Sequence, residues 1–161
     1  MSRQGCQSRS FGSISAQLLR WSPDVNAEQV AAITEGGSRL FDVIIASDCL
    51  FFREFHGDLV QTLRSLLSPG GVCLFLQPRR SGTMQTFIDK CEDYFYIEIF
   101  EDYSAKVTTI GVSSSSLAYI HHSSFNYEQI SQLRQEYLSH PDGSGYNDDI
   151  HYPLMLVLRL K

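Results

Sequence analysis

No apolar run in this 161-residue chain approaches the roughly 20 residues that a bilayer-spanning helix requires. The longest are stretches such as "LMLVL", Leu154 to Leu158, which excludes a membrane helix on sequence grounds. The opening "MSRQGCQSRS" has no apolar core and is not expected to act as a secretory signal. Basic residues are scarce, 13 Lys and Arg against 18 Asp and Glu. The resulting net charge of −5 argues against a general nucleic-acid binder, which needs a basic field over its surface. Only four cysteines occur (Cys6, Cys49, Cys73 and Cys91), and no two show C-x-x-C spacing. Reduced thiols in an intracellular protein are the expectation.

Motifs for several chemistries are missing too. His121 and His122 are adjacent and would point to opposite faces of a strand. His56, His140 and His151 lack ligand spacing to a thiol or carboxylate, so no metal is expected. No G-x-S-x-G nucleophile turn is present. The only G-x-G, Gly143 to Gly145, neither follows a strand pattern nor opens a helix, so it is not a dinucleotide fingerprint. The paired acids Glu101-Asp102 and Asp148-Asp149 read as solvated surface.

What is present is the punctuation of an α/β domain. "SISAQLLRW", Ser13 to Trp21, reads as a short strand. A short helix carrying Val30 and Ile33 follows, with Asn26 as its cap and Gly36-Gly37 as its end. "FDVIIA", from Phe41, is rich in β-branched residues and predicts a strand covered on both faces. Phe55, Leu59, Leu63, Leu66 and Leu67 fall at helical spacing over Glu54 to Ser68, and "SPGG" stops that helix. "VCLFL" (Val72 to Leu76) predicts a second buried strand. Met84, Phe87, Ile88 and Cys91 mark another helix, and Tyr94 to Phe100 alternates as a strand nearer an edge. A last helix is expected from Asn126, with Ile130, Leu133 and Tyr137 on one face, before a closing strand from Tyr152 to Leu160. The alternation favours a parallel sheet with right-handed crossovers. The serine-rich segment 106–124 fits neither neighbour and is either a surface loop or an insertion.

One residue stands out against this background. Asp48 closes the best strand and is followed by Cys49, Leu50, Phe51 and Phe52. A carboxylate among apolar groups costs free energy unless something pairs with it. It is either a working group at the carboxyl end of a strand or the N-cap of the segment that follows. Trp21 is either core filler or a ligand platform. Arg79 and Arg80, after "VCLFLQP", would share the rim with Asp48 and either grip a carboxylate-rich partner or lie solvated.

"LLRW", "FDVIIASDCLFF", "LLSPGGVCLFLQPRR" and "DDIHYPLMLVL", in that order, resemble the seven-strand methyltransferases that use S-adenosylmethionine. Within them they resemble the calmodulin-lysine branch of the group marked by a D-x-x-Y motif. The resemblance implies a Rossmann-like seven-strand sheet that is incomplete here, lacking the N-terminal strands and the glycine-rich motif. Residues 1–161 would then be the carboxyl-terminal part of a single methyltransferase domain. It implies a protein-lysine N-methyltransferase with S-adenosyl-L-methionine as cofactor, calmodulin as protein substrate, and neither metal, membrane nor nucleic acid as partner. A cytoplasmic location, with the nucleus as a second, goes with it.

Carried onto this sequence, the motif falls on Asp48 to Phe51, with a phenylalanine in the tyrosine position. Asp48 and Phe51 become the catalytic candidates, Trp21 and Ser47 the cofactor-binding candidates, and Arg79 and Arg80 the substrate-binding ones. A non-catalytic binding fragment of such an enzyme is the alternative.

Overall fold

The computed structural model describes residues 14–23, 27–34, 40–101, 132, 134–136, 138–139 and 147–161. Expectations for Cys6, Asn26, Gly36-Gly37, the segment 106–124 and Ile130, Leu133 and Tyr137 lie outside the described residues.

Among the described residues four strands form one sheet: β1 (Phe41–Ser47), β2 (Leu67–Gln77), β3 (Phe95–Phe100) and β4 (Leu154–Leu160). Their spatial order is β1-β2-β4-β3. The helices whose bounds lie among the described residues are α1 (Ala27–Ile33), α2 (His56–Leu66), α3 (Thr83–Cys91) and the short α4 (Asp148–His151). A 3-10 turn, Arg53–Phe55, leads into α2. Residues 132, 134–136 and 138–139 are also helical, in keeping with the helix expected there.

β1 and β2 are parallel, whereas β4 runs antiparallel to both β2 and β3. The three strands joined by helices therefore point the same way, as the alternating pattern predicts. The last strand of the chain slots in reversed between β2 and β3, so the sheet as a whole is mixed. A mixed α/β sheet of this order is what an incomplete Rossmann-like methyltransferase sheet presents.

Packing follows side-chain parity. Cys73 and Phe75 of β2, Leu154, Leu156 and Leu158 of β4, and Phe95 of β3 face α2 and α3, where Leu59, Val60, Leu63, Phe87 and Ile88 complete the main core. Val72, Met155 and Val157 form a smaller cluster on the opposite face. Each large apolar side chain fully removed from water contributes about 1.5–3 kcal/mol as an upper figure, so the β2–β4 pair and its helices hold most of the stability.

The junction before β2 explains the "SPGG" stretch. α2 ends at Leu66, and Leu67 is already extended. Phe41 pairs with Leu67 while Val43 pairs with Val72, so residues 68–71 form a bulge in the ladder. Gly70 takes φ +80 there. Gly71 lies so close to the Phe41 and Ser68 carbonyl oxygens that a Cβ would sit 3.0 Å from each. These glycines thus shape the start of β2 as well as ending the helix.

Two further expectations fail. Residues 14–21 are not a strand; 14–20 run exposed, with Ile14 and Leu18 open to solvent, and Trp21 is partly buried against the main core. A strand needs a ladder partner, and the described residues offer none to this segment. β1 is not covered on both faces either. Among the described residues it has only β2 beside it, and Ile45 is 63% exposed.

Candidate active site

The parallel pairing of β1 and β2 brings their carboxyl ends to one rim of the sheet. Because β4 is antiparallel, its beginning, with α4 in front of it, arrives at the same rim. Asp48, the turn 78–82, Glu101 and Asp148–Tyr152 are thereby neighbours, although up to about a hundred residues separate them in sequence.

Asp48 is not an N-cap. The caps of the 3-10 turn and of α2 are Phe52 and Phe55, neither with a side-chain hydrogen bond. Its backbone turns at φ 49, and its N–H donates to the Leu76 carbonyl at 3.1 Å. Its carboxylate takes both teeth of the Arg80 fork, from Nε and Nη2, each at 3.0 Å. Such two-point pairs are the most directional ion pairs available to arginine. The acid side chain is 56% exposed and the arginine 26%, so the pair sits at the surface with its outer side wet.

The loop after Asp48 is fastened from beneath. Gln77, fully buried, uses its Oε1 to accept hydrogen bonds from the backbone N–H groups of Cys49 (3.1 Å) and Leu50 (3.4 Å). His56 Nε2, also buried, meets the Leu50 carbonyl at 3.0 Å. Burying an amide is costly unless it is hydrogen-bonded, and here the bonds fix the loop that carries the acid. Burial pushes the Cys49 thiol up to about 11, partly offset by a backbone hydrogen bond and aided by the Asp48 charge. It is therefore a neutral thiol near pH 7 and no nucleophile.

Beyond that loop three rings emerge in sequence. Phe51, Phe52 and Phe55 are all exposed, and successive pairs meet edge to face at 5.0 and 6.2 Å between centroids. The Arg80 guanidinium carbon lies 5.9 Å from the Phe51 ring centre.

Arg80 itself sits in an unusual turn. Arg80, Ser81 and Gly82 have φ of 46, 50 and 83, and for the first two the left-handed region carries strain of about 1–3 kcal/mol each. Asp149 holds the turn. Its carbonyl accepts from Arg80 N at 2.7 Å, and its carboxylate from Ser81 N at 2.5 Å and Ser81 Oγ at 3.4 Å. Arg53 adds a bond from Nη2 to the Ser81 carbonyl at 2.8 Å. Asp149 is in turn fixed at the start of α4, where its N–H donates to Asn147 Oδ1 at 2.9 Å.

The paired acids are thus not idle surface. Glu101 accepts from Arg79 at 2.6 Å, Asp148 pairs with Arg134, and Asp149 clamps the arginine turn. Asp102 lies outside the described residues. No group of three metal-ligating side chains occurs among the described residues.

Trp21 and Ser47 meet at a different feature, an open groove of about 560 Å³ along the unpaired side of β1. Ile44, Cys49, Leu59 and Leu63 continue its walls. The structure therefore gathers Asp48, Phe51 and Arg80 at the rim, sets Trp21 and Ser47 in the adjoining groove, and ties Arg79 to Glu101. Sequence reading missed Gln77 and Asp149. A glutamine closing an apolar strand was a readable signal; Asp149, one of two adjacent acids, gave none.

A sequence model of the family described as lysine methyltransferase matches residues 6–94, more than half of the chain. Calmodulin-lysine N-methyltransferase of Arabidopsis thaliana is 35% identical over 105 residues, covering 62% of this chain. The chain spans only about a third of that relative, 32% of its length.

Proposed function

The chain belongs to the lysine methyltransferase family, and from that premise we propose that it carries the amine-side wall of an S-adenosylmethionine-dependent protein-lysine N-methyltransferase whose substrate is calmodulin. The observation that carries the reading is the placement of Asp48 at a strand's carboxyl end, beside three exposed phenylalanine rings, within the stretch that matches the family. Sheet-borne sites of α/β proteins gather at such ends.

The groove supports the cofactor on one side. Trp21 supplies a flat ring and Ser47 a hydroxyl to the same groove, which suits an adenine ring and its polar edge. When bound, S-adenosylmethionine supplies a methyl group on a positively charged sulfur. Phe51 and Phe52 present ring faces to cationic groups at the rim, worth about 0.5–2 kcal/mol. Asp48 accepts a hydrogen bond from the incoming amine on the side of its carboxylate away from Arg80 and aligns the nitrogen. Alignment of this kind supplies up to about 7–11 kcal/mol of barrier reduction in favourable cases. Arg79, at the same rim and half-exposed, offers an acidic protein surface a cation in exchange for Glu101.

The test is transfer of labelled methyl to calmodulin by this chain extended upstream with a glycine-turn strand, with the chain alone in parallel. Label on a calmodulin lysine is expected from the extended form. Its absence, with the protein folded, refutes the reading. Among the described residues β1 has no second neighbour, which supports a second reading, a non-catalytic binding fragment, and cofactor or calmodulin binding without transfer would favour that one.

A further inference from the structure

A methyl-accepting lysine presents a difficulty at this rim. The attacking amine must be neutral, yet free lysine holds its proton to a pKa of about 10.4. A bare carboxylate beside it stabilises the ammonium and makes matters worse. Asp48 in isolation would orient the nucleophile and at the same time suppress it.

The fork of Arg80 on both carboxylate oxygens changes that balance. An ion pair has nearly no net charge, so its field on a third group falls off steeply, while its outer lone pairs still accept a hydrogen bond. We infer that Arg80 is a positioning residue that cancels the charge of Asp48, so that a neutral lysine amine is oriented there without being held protonated, and that Asp149 keeps Arg80 in that place. This rests on the proposed lysine methyl transfer and assigns it two residues that act through Asp48.

The geometry around the pair supports the assignment. Arg80 reaches Asp48 from a turn with three successive left-handed residues, a conformation that costs free energy and persists only when over-determined. Three Asp149 contacts and one from Arg53 supply that determination. The other charged groups at this rim are already matched: Arg79 with Glu101, and Arg134 with Asp148. His151 accepts a backbone hydrogen bond from Asn147 through Nδ1, and His56 is buried against the Leu50 carbonyl. Glu54 lies in the 3-10 turn beyond the rings, and the Cys49 thiol stays neutral well above pH 7. Arg80 is thus the cation in direct contact with the Asp48 carboxylate.

The experiment is kcat/KM for calmodulin against pH, using the upstream-extended chain and three variants. Arg80→Gln should move the alkaline rise about one pH unit higher, giving roughly 10-fold less activity at pH 7 and convergence with the parent at high pH. Arg80→Lys, which keeps the charge and loses the fork, should return the rise to its original pH while leaving a lower plateau. Asp149→Ala should shift the rise in the same direction as Arg80→Gln, by less. Uniform loss at every pH with an unmoved rise, in variants that fold by circular dichroism, would overturn the inference and leave the methyl-transfer reading standing. No transfer from the parent at all would sink the methyl-transfer reading, and this inference with it.

Discussion

β1 and β4 are both seven-residue apolar strands, and a composition scan cannot separate them. In the sheet they differ sharply. β4 has a neighbour on each side and five consecutive buried residues, with Leu156 at 0% exposure. β1 has one neighbour among the described residues and a half-exposed pattern. Burial of a strand is a property of what lies beside it, and an apolar sequence states only that something should. The less buried strand is also the one that ends in Asp48 and borders the groove, so the most deeply buried part of the sheet and the candidate site are different places.

That division can be broken by mutation. Leu156→Ala in the middle of β4 should destabilise the fold by about 2–5 kcal/mol, whereas Ile45→Ala in β1 should cost under about 1 kcal/mol, because little apolar area leaves water there. Urea titrations of the two variants check it, and equal losses would erase the distinction.

The bulge that joins the two regions comes next in size. Gly71→Ala forces a Cβ to within 2.8 Å of Leu67 Cδ1 and against two carbonyl oxygens. A loss of about 1–3 kcal/mol is expected from such overpacking. Gly57→Ala, in α2 with nothing within 4 Å, should instead be neutral or stabilising by about 0.5–1 kcal/mol.

The smallest effects concern the thiols. Burial pushes Cys73 and Cys91, in the main core, up to about 12, and Cys49, beside Asp48, up to about 11. Their raised values mean the fold favours the protonated thiol. The corresponding stability is complete below the unfolded thiol value, near 8.5, and is lost as pH climbs toward 11–12. Alkylation of the native protein should therefore be slow at pH 8 at all three sites and should accelerate first at Cys49. Rapid modification of Cys73 at pH 8 in folded protein would contradict this.

Much of the fold was legible because it is local. The runs "FDVIIA", "VCLFL" and "LMLVL" and the stripes at Leu59–Leu63 and Phe87–Cys91 each declare an element through their own periodicity. Whatever depends on a distant partner was not legible. The "SISAQLLRW" stretch has a strand's composition but, among the described residues, no ladder to join, and the reversal of β4 is set by long-range pairing. The site divides the same way. Asp48 could be named from one short run and Arg80 from a second one a strand later, whereas Phe51 came from the resemblance to the D-x-x-Y group. That Arg80 is bound to Asp48, and that Asp149 holds the turn between them, required the sheet to bring three segments to one rim.

The role proposed for Asp48 at the end of β1 is tested most directly by Asp48→Ala in the upstream-extended chain, with methyl transfer to calmodulin, the proposed substrate, as the readout. A loss of at least about 100-fold, with circular dichroism unchanged, is the expected result, since misaligning a nucleophile by about an ångström costs that much. Transfer within about twofold of the parent would show that the carboxylate does not serve the reaction.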